Sequence, residues 1–300
     1  MREIPFIQTS VFTDDRFQFS GNQLATFWNL SKDELSTDEM QGITREMNFS
    51  ETTFVLPSEV KRCVRKVRIF TPGREIPFAG HPTLGTAFVL KSKGIISSAD
   101  TKSYLELGIG PIAVDFQDEL IKMHQAKPEF LIEFQDVKTI AQIMGISPNL
   151  ISQKYPIQYV STGFPYLIVP LTSLEAIRAI NLDTNLLIKT LEGFPSQELL
   201  VFTPNTVYTD SHVHVRMFAP SVGVPEDPAT GSAAGPLGCY IEKYQVISSH
   251  IRGTTFVLEQ GYEINRPSKL IVQCSYENDE ITEVIVGGEV KMTAEGRFFT

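Results

Sequence analysis

Residues 68–90, RIFTPGREIPFAGHPTLGTAFVL, decide the fold, because residues 216–241, RMFAPSVGVPEDPATGSAAGPLGCYI, repeat their plan 148 positions later in a chain of 300 residues. Each stretch reads as a strand, a Pro-marked turn and a Gly/Thr-rich helix start. A repeat at about half the chain length predicts a duplicated fold of two similar domains. The start of a helix leaves backbone N–H groups without intrahelical partners, and such groups hold anions. Two helix starts turned towards one another predict a cleft for a small anionic molecule.

Working outward, "IPFIQTSVF" from Ile4 has strand character, and Ser20 or Asn22 is placed to cap a helix beginning near Gln23. A helix is expected over Thr37–Met47, capped by Ser36 or Thr37, followed by a strand over Thr52–Leu56. After the first motif, "SYLELGIGPIAVDFQ" and "ELIKMHQA" read as strands. The second half repeats much of this order. Leu105-Glu106 has a counterpart in Leu258-Glu259, 153 residues on, and "TFVLP" ending at Pro57 resembles "YLIVP" ending at Pro170. Between Pro170 and Arg216, "LTSLEAIRAINLDTNLLIKTLEGF" fits two short helices, read as decoration of the second copy. Pro128 marks the boundary, with a new helix expected after it. The expected domains are residues 1–128 and 129–300, and the last strand, near Val286 to Met292, is a candidate to return to the first. Many strands around one apolar, small-residue helix per half predict an α+β fold in which a curled sheet wraps that helix.

Composition narrows the function. With 42% hydrophobic and 20% charged residues the chain is ordinary globular protein, not disordered or fibrous. A net charge of −9 argues against a nucleic-acid partner, because neutralising phosphates requires clustered Lys and Arg. The basic stretch Lys61-Arg62-Cys63-Val64-Arg65-Lys66 reads as a solvated turn entering a strand. No apolar run approaches the roughly 18 residues of a bilayer span, and "MREIPFIQTSVF" has no signal or transit character, so a cytoplasmic location without membrane contact is expected. Cys63, Cys239 and Cys274 are odd in number and widely spaced; they read as buried small hydrophobes.

The chemistry must come from other groups. Ser232 in "TGSAAG" is not a nucleophile elbow, since Thr230 stands where G-x-S-x-G needs glycine. His212 and His214 alternate along a strand and read as surface or pairing positions; no metal, nucleotide or dinucleotide motif is present. Three polar residues stand where a pocket is expected. Glu51 lies at a helix-to-strand junction that can aim a carboxylate inward, or else is an exposed strand entry. His81, between Gly80 and Pro82, is a site imidazole or a capping or core histidine. Asp227, extended by the following Pro228, serves the site or merely stabilises the next helix. Gly80, Gly85, Gly231 and Gly235 allow close approach of backbone to ligand and of helix to sheet.

Taken together, "GNQLATF", "NFSETTFVLP", "TPGREIPFAGHPTLGTA", "STGFPYLIVP", "RMFAPSVGVPEDPATGSAAG" and "EQGYEINRPSKL", spanning residue 21 to about residue 270, resemble the PhzF-like phenazine biosynthesis family of the diaminopimelate epimerase-like superfamily. The resemblance implies two similar, pseudo-symmetric domains, each a curled antiparallel sheet wrapped around a central helix, with the site in the cleft between them, cofactor-free isomerase chemistry, and a homodimer. It places the central acid/base on Glu51, with His81, Asp227 and Ser232 as catalytic partners. It also implies substrate contacts at Asn22, Gly80, Pro82, Thr83, Gly163, Thr230 and Gly231. The two cysteines of the superfamily's epimerases are absent from the "GHP" and "DPATGS" blocks. A carboxylate in an apolar cleft, its pKa raised, can take a proton from carbon and return it elsewhere on the same molecule. The expected activity is therefore proton movement within a small cyclic or amino-acid-like carboxylate. The alternatives are a non-catalytic small-molecule-binding or interaction protein on the same fold, and a two-base racemase with Asp227 as the second base. Two departures from the family stand out: Gln23 replaces the Pro often found after Gly-Asn, and Pro236 falls inside the second motif helix, where it removes a hydrogen bond unless it lies in the first turn.

Overall fold

A computed structural model describes residues 2–247 and 251–300. The chain forms two compact units, one of residues 1–124 and 287–300 and the other of residues 125–286. The expected division lay at 128/129, with the last strand a candidate to return to the first domain; the units part after residue 124, and the tail from Gly287 onward groups with the first unit, where it pairs with the first strand.

The first unit contains β1 (Glu3–Val11), β2 (Asn22–Phe27), α1 (Thr37–Met47), β3 (Glu51–Leu56), β4 (Arg65–Phe70), β5 (Glu75–Ile76), α2 (Gly80–Ser92), β6 (Lys102–Leu107), β7 (Gly110–Gln117) and β8 (Leu120–Gln125). β1 pairs antiparallel with β2, β2 parallel with β3, β3 antiparallel with β4, and β4 antiparallel with β5 and parallel with β6. β6, β7 and β8 continue as antiparallel neighbours. The expected helix near Gln23 is absent: Asn22 opens β2, whose residues Leu24 to Phe27 are all buried. A segment enclosed on both faces is served by interstrand pairing, whatever its capping residues suggest.

The second unit contains β9 (Glu129–Glu133), α3 (Val137–Met144), β10 (Gln158–Ser161), β11 (Pro165–Pro170), α4 (Leu174–Arg178), α5 (Thr184–Thr190), β12 (Leu199–Thr203), β13 (Val213–Ala219), β14 (Val224–Asp227), α6 (Gly231–Tyr244), β15 (Thr255–Gln260) and β16 (Ser268–Glu277). The final strand, β17 (Glu280–Phe299), pairs with β1 from Val290 to Phe299. Pro128 leads into β9 and the helix waits until Val137, capped by Asp136.

The ladder of the second unit repeats that of the first. β10–β11 is antiparallel, β11–β12 parallel, β12–β13 antiparallel, β13–β14 antiparallel, β13–β15 parallel and β15–β16 antiparallel. Each sheet is thus mostly antiparallel, with two parallel pairings. The ladder also corrects two sequence equivalences. β11, with "YLIVP", stands where β2 does, and the counterpart of "TFVLP" in β3 is "LLVFT" in β12. It follows that α4 and α5 fill the β11–β12 connection as α1 fills β2–β3; they are the equivalent crossover, not an addition. A parallel pair needs such a crossover, usually helical.

α1 begins in a capping box, with the Ser36 side chain accepting from the Glu39 N–H and the Glu39 side chain from the Ser36 N–H. Its apolar face covers Phe27, Phe54 and Phe70, whose rings meet at 5.1 and 5.5 Å between centroids. In the second unit α3, α4 and α5 cover a separate core that includes Ile140, Ile143, Leu167, Val169, Ile177 and Leu187. The motif helices differ from these covering helices. α2 is buried from Gly80 through Ala87, and α6 from Gly231 through Glu242. A helix apolar all round lies inside its sheet. Gly85 makes that possible, since a Cβ there would stand 2.6 Å from Leu24 Cδ2 and 2.9 Å from Val11 Cγ2. Pro236 is the sixth residue of α6, past the first turn, so the Ser232 carbonyl loses its helical donor.

Candidate functional site

In each unit the strand-turn-helix motif brings polar residues to the start of the buried helix. Neither α2 nor α6 has a side-chain hydrogen bond at its N-cap, Ala79 and Thr230 respectively. The N–H groups of the first turn at Gly80 and Gly231 are therefore not taken by a capping side chain, the arrangement that suits an anion.

The first unit brings Glu51, His81 and Asn22 together. Glu51 opens β3 and His81 is the second residue of α2; Glu51 Oε2 lies 3.5 Å from His81 Nε2. The imidazole is 2% exposed. Burial pushes its pKa down to about 3, against a backbone hydrogen bond at Gln23 that favours the cation, so the ring is neutral at pH 7. Asn22 Nδ2 lies 3.1 Å from His81 Nδ1, and Ser50 Oγ donates to Asn22 Oδ1 at 2.8 Å. His81 Nε2 is buried and makes no hydrogen bond to a described residue. Of the other expected contacts, Gly80 and Pro82 flank His81 in the first turn. Thr83 turns back on its own helix, its hydroxyl donating to the Ala79 carbonyl at 2.7 Å.

The second unit brings Asp227, Thr230, Gly231 and Ser232 together at the start of α6. Thr230 Oγ1 donates to Asp227 Oδ2 at 2.5 Å. Ser232 Oγ lies 2.7 Å from Tyr166 Oη, and both residues are buried. Gly163 stands in the β10–β11 turn at φ +126°, with its N–H donating to Ser161 Oγ at 3.1 Å. It reaches this group indirectly. Thr162 Oγ1 donates to Gln125 Oε1 at 2.5 Å, and Gln125 Nε2 donates to the Gly231 carbonyl at 2.9 Å.

Four polar residues here carried no sequence signal of their own: Ser50, Gln125, Tyr166 and Gln260. Ser50, Tyr166 and Gln260 lie inside the motif blocks, but only their partners across the fold show their use. His214 also departs from expectation. It is fully buried, with Nδ1 2.7 Å from Glu259 Oε1 and Nε2 3.0 Å from Glu263 Oε1. Burial alone pushes its pKa down, and the two carboxylates outweigh it, so the net shift is up. Cys63, Cys239 and Cys274 are free and buried, as read from the sequence. No helix among the described residues is long and apolar enough to cross a membrane.

Comparison with known proteins gives this geometry a context. A family model described as "Phenazine biosynthesis-like protein", PhzC-PhzF, matches residues 9–296. An uncharacterised isomerase of Mesorhizobium japonicum is 34% identical, covering 98% of both chains. The trans-2,3-dihydro-3-hydroxyanthranilate isomerase of Pseudomonas aeruginosa is 33% identical over 98% of this chain and 99% of that one. The crystal structure of a phenazine biosynthesis protein of the PhzF family from Bacillus anthracis superposes with a TM-score of 0.89 at 27% identity, covering 100% of both chains.

Proposed function

The chain belongs to the phenazine biosynthesis-like PhzC-PhzF family and is an isomerase, and from that premise we propose that it moves a proton within a small cyclic or amino-acid-like carboxylate, without a cofactor, using Glu51 as acid and base. One observation carries the reading: Glu51 sits at 3.5 Å from an imidazole that burial keeps neutral. A cationic partner would stabilise the charge on Glu51 and weaken it as a base. A neutral one leaves the carboxylate able to take a proton from carbon and, once protonated, to give it back at another atom of the same substrate. The negative charge left on the substrate meets the His81 ring and the first-turn N–H groups of α2, groups fixed before the reaction begins. In this reading Asp227 and Ser232 are further catalytic residues, as the family resemblance implies.

The test is product analysis by mass spectrometry in D₂O. Wild type and Glu51→Gln are incubated with trans-2,3-dihydro-3-hydroxyanthranilate, the substrate named for the Pseudomonas aeruginosa relative, and with a panel of cyclic and amino-acid carboxylates. Wild type is expected to convert one of these compounds, and Glu51→Gln to bind it without converting it. Unchanged turnover in Glu51→Gln sinks the shuttle. A two-base racemisation draws on one further observation, the buried carboxylate of Asp227. It predicts deuterium at a stereocentre and an Asp227→Asn variant as damaged as Glu51→Gln.

A further inference from the structure

The side chain of Gln260 is 2% exposed and closes the turn that carries Asp227. It ends β15, and its amide spans both ends of the four-residue turn from Asp227 to Thr230. Gln260 Oε1 accepts from the Thr230 backbone N–H at 3.1 Å, and Nε2 donates to the Asp227 backbone carbonyl at 2.8 Å. This amide cannot be reversed, since a flip would set carbonyl against carbonyl and N–H against N–H. The second proton of Nε2 goes to Thr230 Oγ1 at 3.1 Å. That oxygen, accepting from Gln260, turns its own proton onto Asp227 Oδ2 at 2.5 Å. The next residue brings the backbone close to the same turn. Gly261 adopts φ +81°, and a Cβ there would stand 2.5 Å from the Pro228 carbonyl oxygen and 2.3 Å from that of Arg266.

We propose that Gln260 is a positioning residue of the isomerase, fixing through Thr230 both the place of the Asp227 carboxylate and its role as a hydrogen-bond acceptor. The proposal rests on the reading that Asp227 serves the substrate, and goes beyond it by assigning a direction to each proton in the chain Gln260, Thr230, Asp227. Gln260→Glu is the incisive variant. It keeps the shape and one acceptor oxygen for the Thr230 N–H, and removes both donors. Thr230→Val removes the last proton of the chain, and Thr230→Ser keeps it.

The experiment is carbon NMR of the full-length protein labelled with ¹³C at the aspartate carboxyls, the Asp227 signal being identified by its loss in Asp227→Asn. The signal is expected to move in Gln260→Glu and Thr230→Val and to stay in place in Thr230→Ser. With the compound that wild type converts, Gln260→Glu is expected to lower kcat by about 10–100-fold with a much smaller change in KM, the scale of one hydrogen bond to a charged group. Gln260→Glu and Thr230→Val combined are expected to lose little more than either alone, because they interrupt one chain. An Asp227 signal that stays put in both variants overturns the proposal, even if activity falls, since Gln260 would then act only on the fold. If Gln260→Glu does not fold, Thr230→Val makes the same decision. Failure of the underlying reading looks different: Asp227→Asn retains its turnover while the signal still moves in the other two variants.

Discussion

α2 and α6 occupy equivalent places in two copies of one ladder, yet their first turns carry opposite chemistry. The start of α2 presents a neutral imidazole beside a carboxylate, held by an amide, Asn22. The start of α6 presents a hydroxyl, Ser232, and a carboxylate bound by a hydroxyl, with Gln260 behind it. The ladder fixes where a helix starts. It leaves free which side chains stand in the first turn, because those residues bear little of the sheet's own pairing. Duplication thus supplied two uncapped helix ends, and the chemistry diverged on each.

The comparison is broken most directly by paired substitution. Glu51→Gln is expected to lower turnover by about 10²–10⁴-fold, the range for a lost general acid or base. Asp227→Asn is expected to cost less, and equal losses, measured on the converted substrate, would replace the single-base reading with a two-base one.

The second contrast lies between two buried histidines, one in each unit, whose proton affinities are shifted in opposite directions. Removing His214 takes a charged donor from Glu259 and Glu263, while Glu259 keeps the Val207 and Tyr208 N–H groups, and His214→Gln is expected to cost about 1.5–3 kcal/mol in denaturant unfolding near pH 6. The raised pKa of His214 means that its stabilisation is complete below the unfolded value of 6.5 and disappears as pH rises through the folded one. The same substitution is therefore expected to cost less at pH 9 than at pH 6. His81 runs the other way. Its folded pKa of about 3 means that, between pH 6.5 and 3, the unfolded chain takes up a proton that the folded one refuses. Stability contributed by the neutral ring falls as pH drops through that window, and His81→Gln is expected to flatten the acid side of the profile. Parallel pH slopes for the two variants would contradict these assignments.

Smaller effects separate motif helices from covering helices. Gly85→Ala, pressed against Leu24 and Val11, is expected to destabilise by about 1–3 kcal/mol through overpacking. Ser36→Ala, which opens the capping box of α1, is expected to cost about 1 kcal/mol without changing kcat. Thermal unfolding read against both variants orders them.

Much of the architecture was legible because it is written in local pattern. The repeat of residues 68–90 at 216–241, the Ser36 cap, and the strand character of residues 103–117 depend on neighbours in sequence, and the α+β class followed, the family resemblance adding its diaminopimelate epimerase-like form. What misled was also local. Asn22 has the form of a helix cap, and "YLIVP" has the form of "TFVLP", but burial and strand order overrode both. Glu51, His81 and Asp227 were nameable as candidates from type and position, and Ser232 only through the family resemblance. Ser50, Gln125, Tyr166 and Gln260 were not, because each acquires its use from a partner at least 28 residues away in the chain.

The sequence by itself determined that the fold is doubled, that a buried Gly-rich helix stands in each copy, and which residues open that helix. Periodicity and turn chemistry act over a few residues and survive without the fold. Only the tertiary structure decided that His81 is neutral, that His214 sits between two carboxylates, and that the proton of Thr230 belongs to Asp227. Desolvation and hydrogen-bond direction come into being when distant strands and helices close around a group.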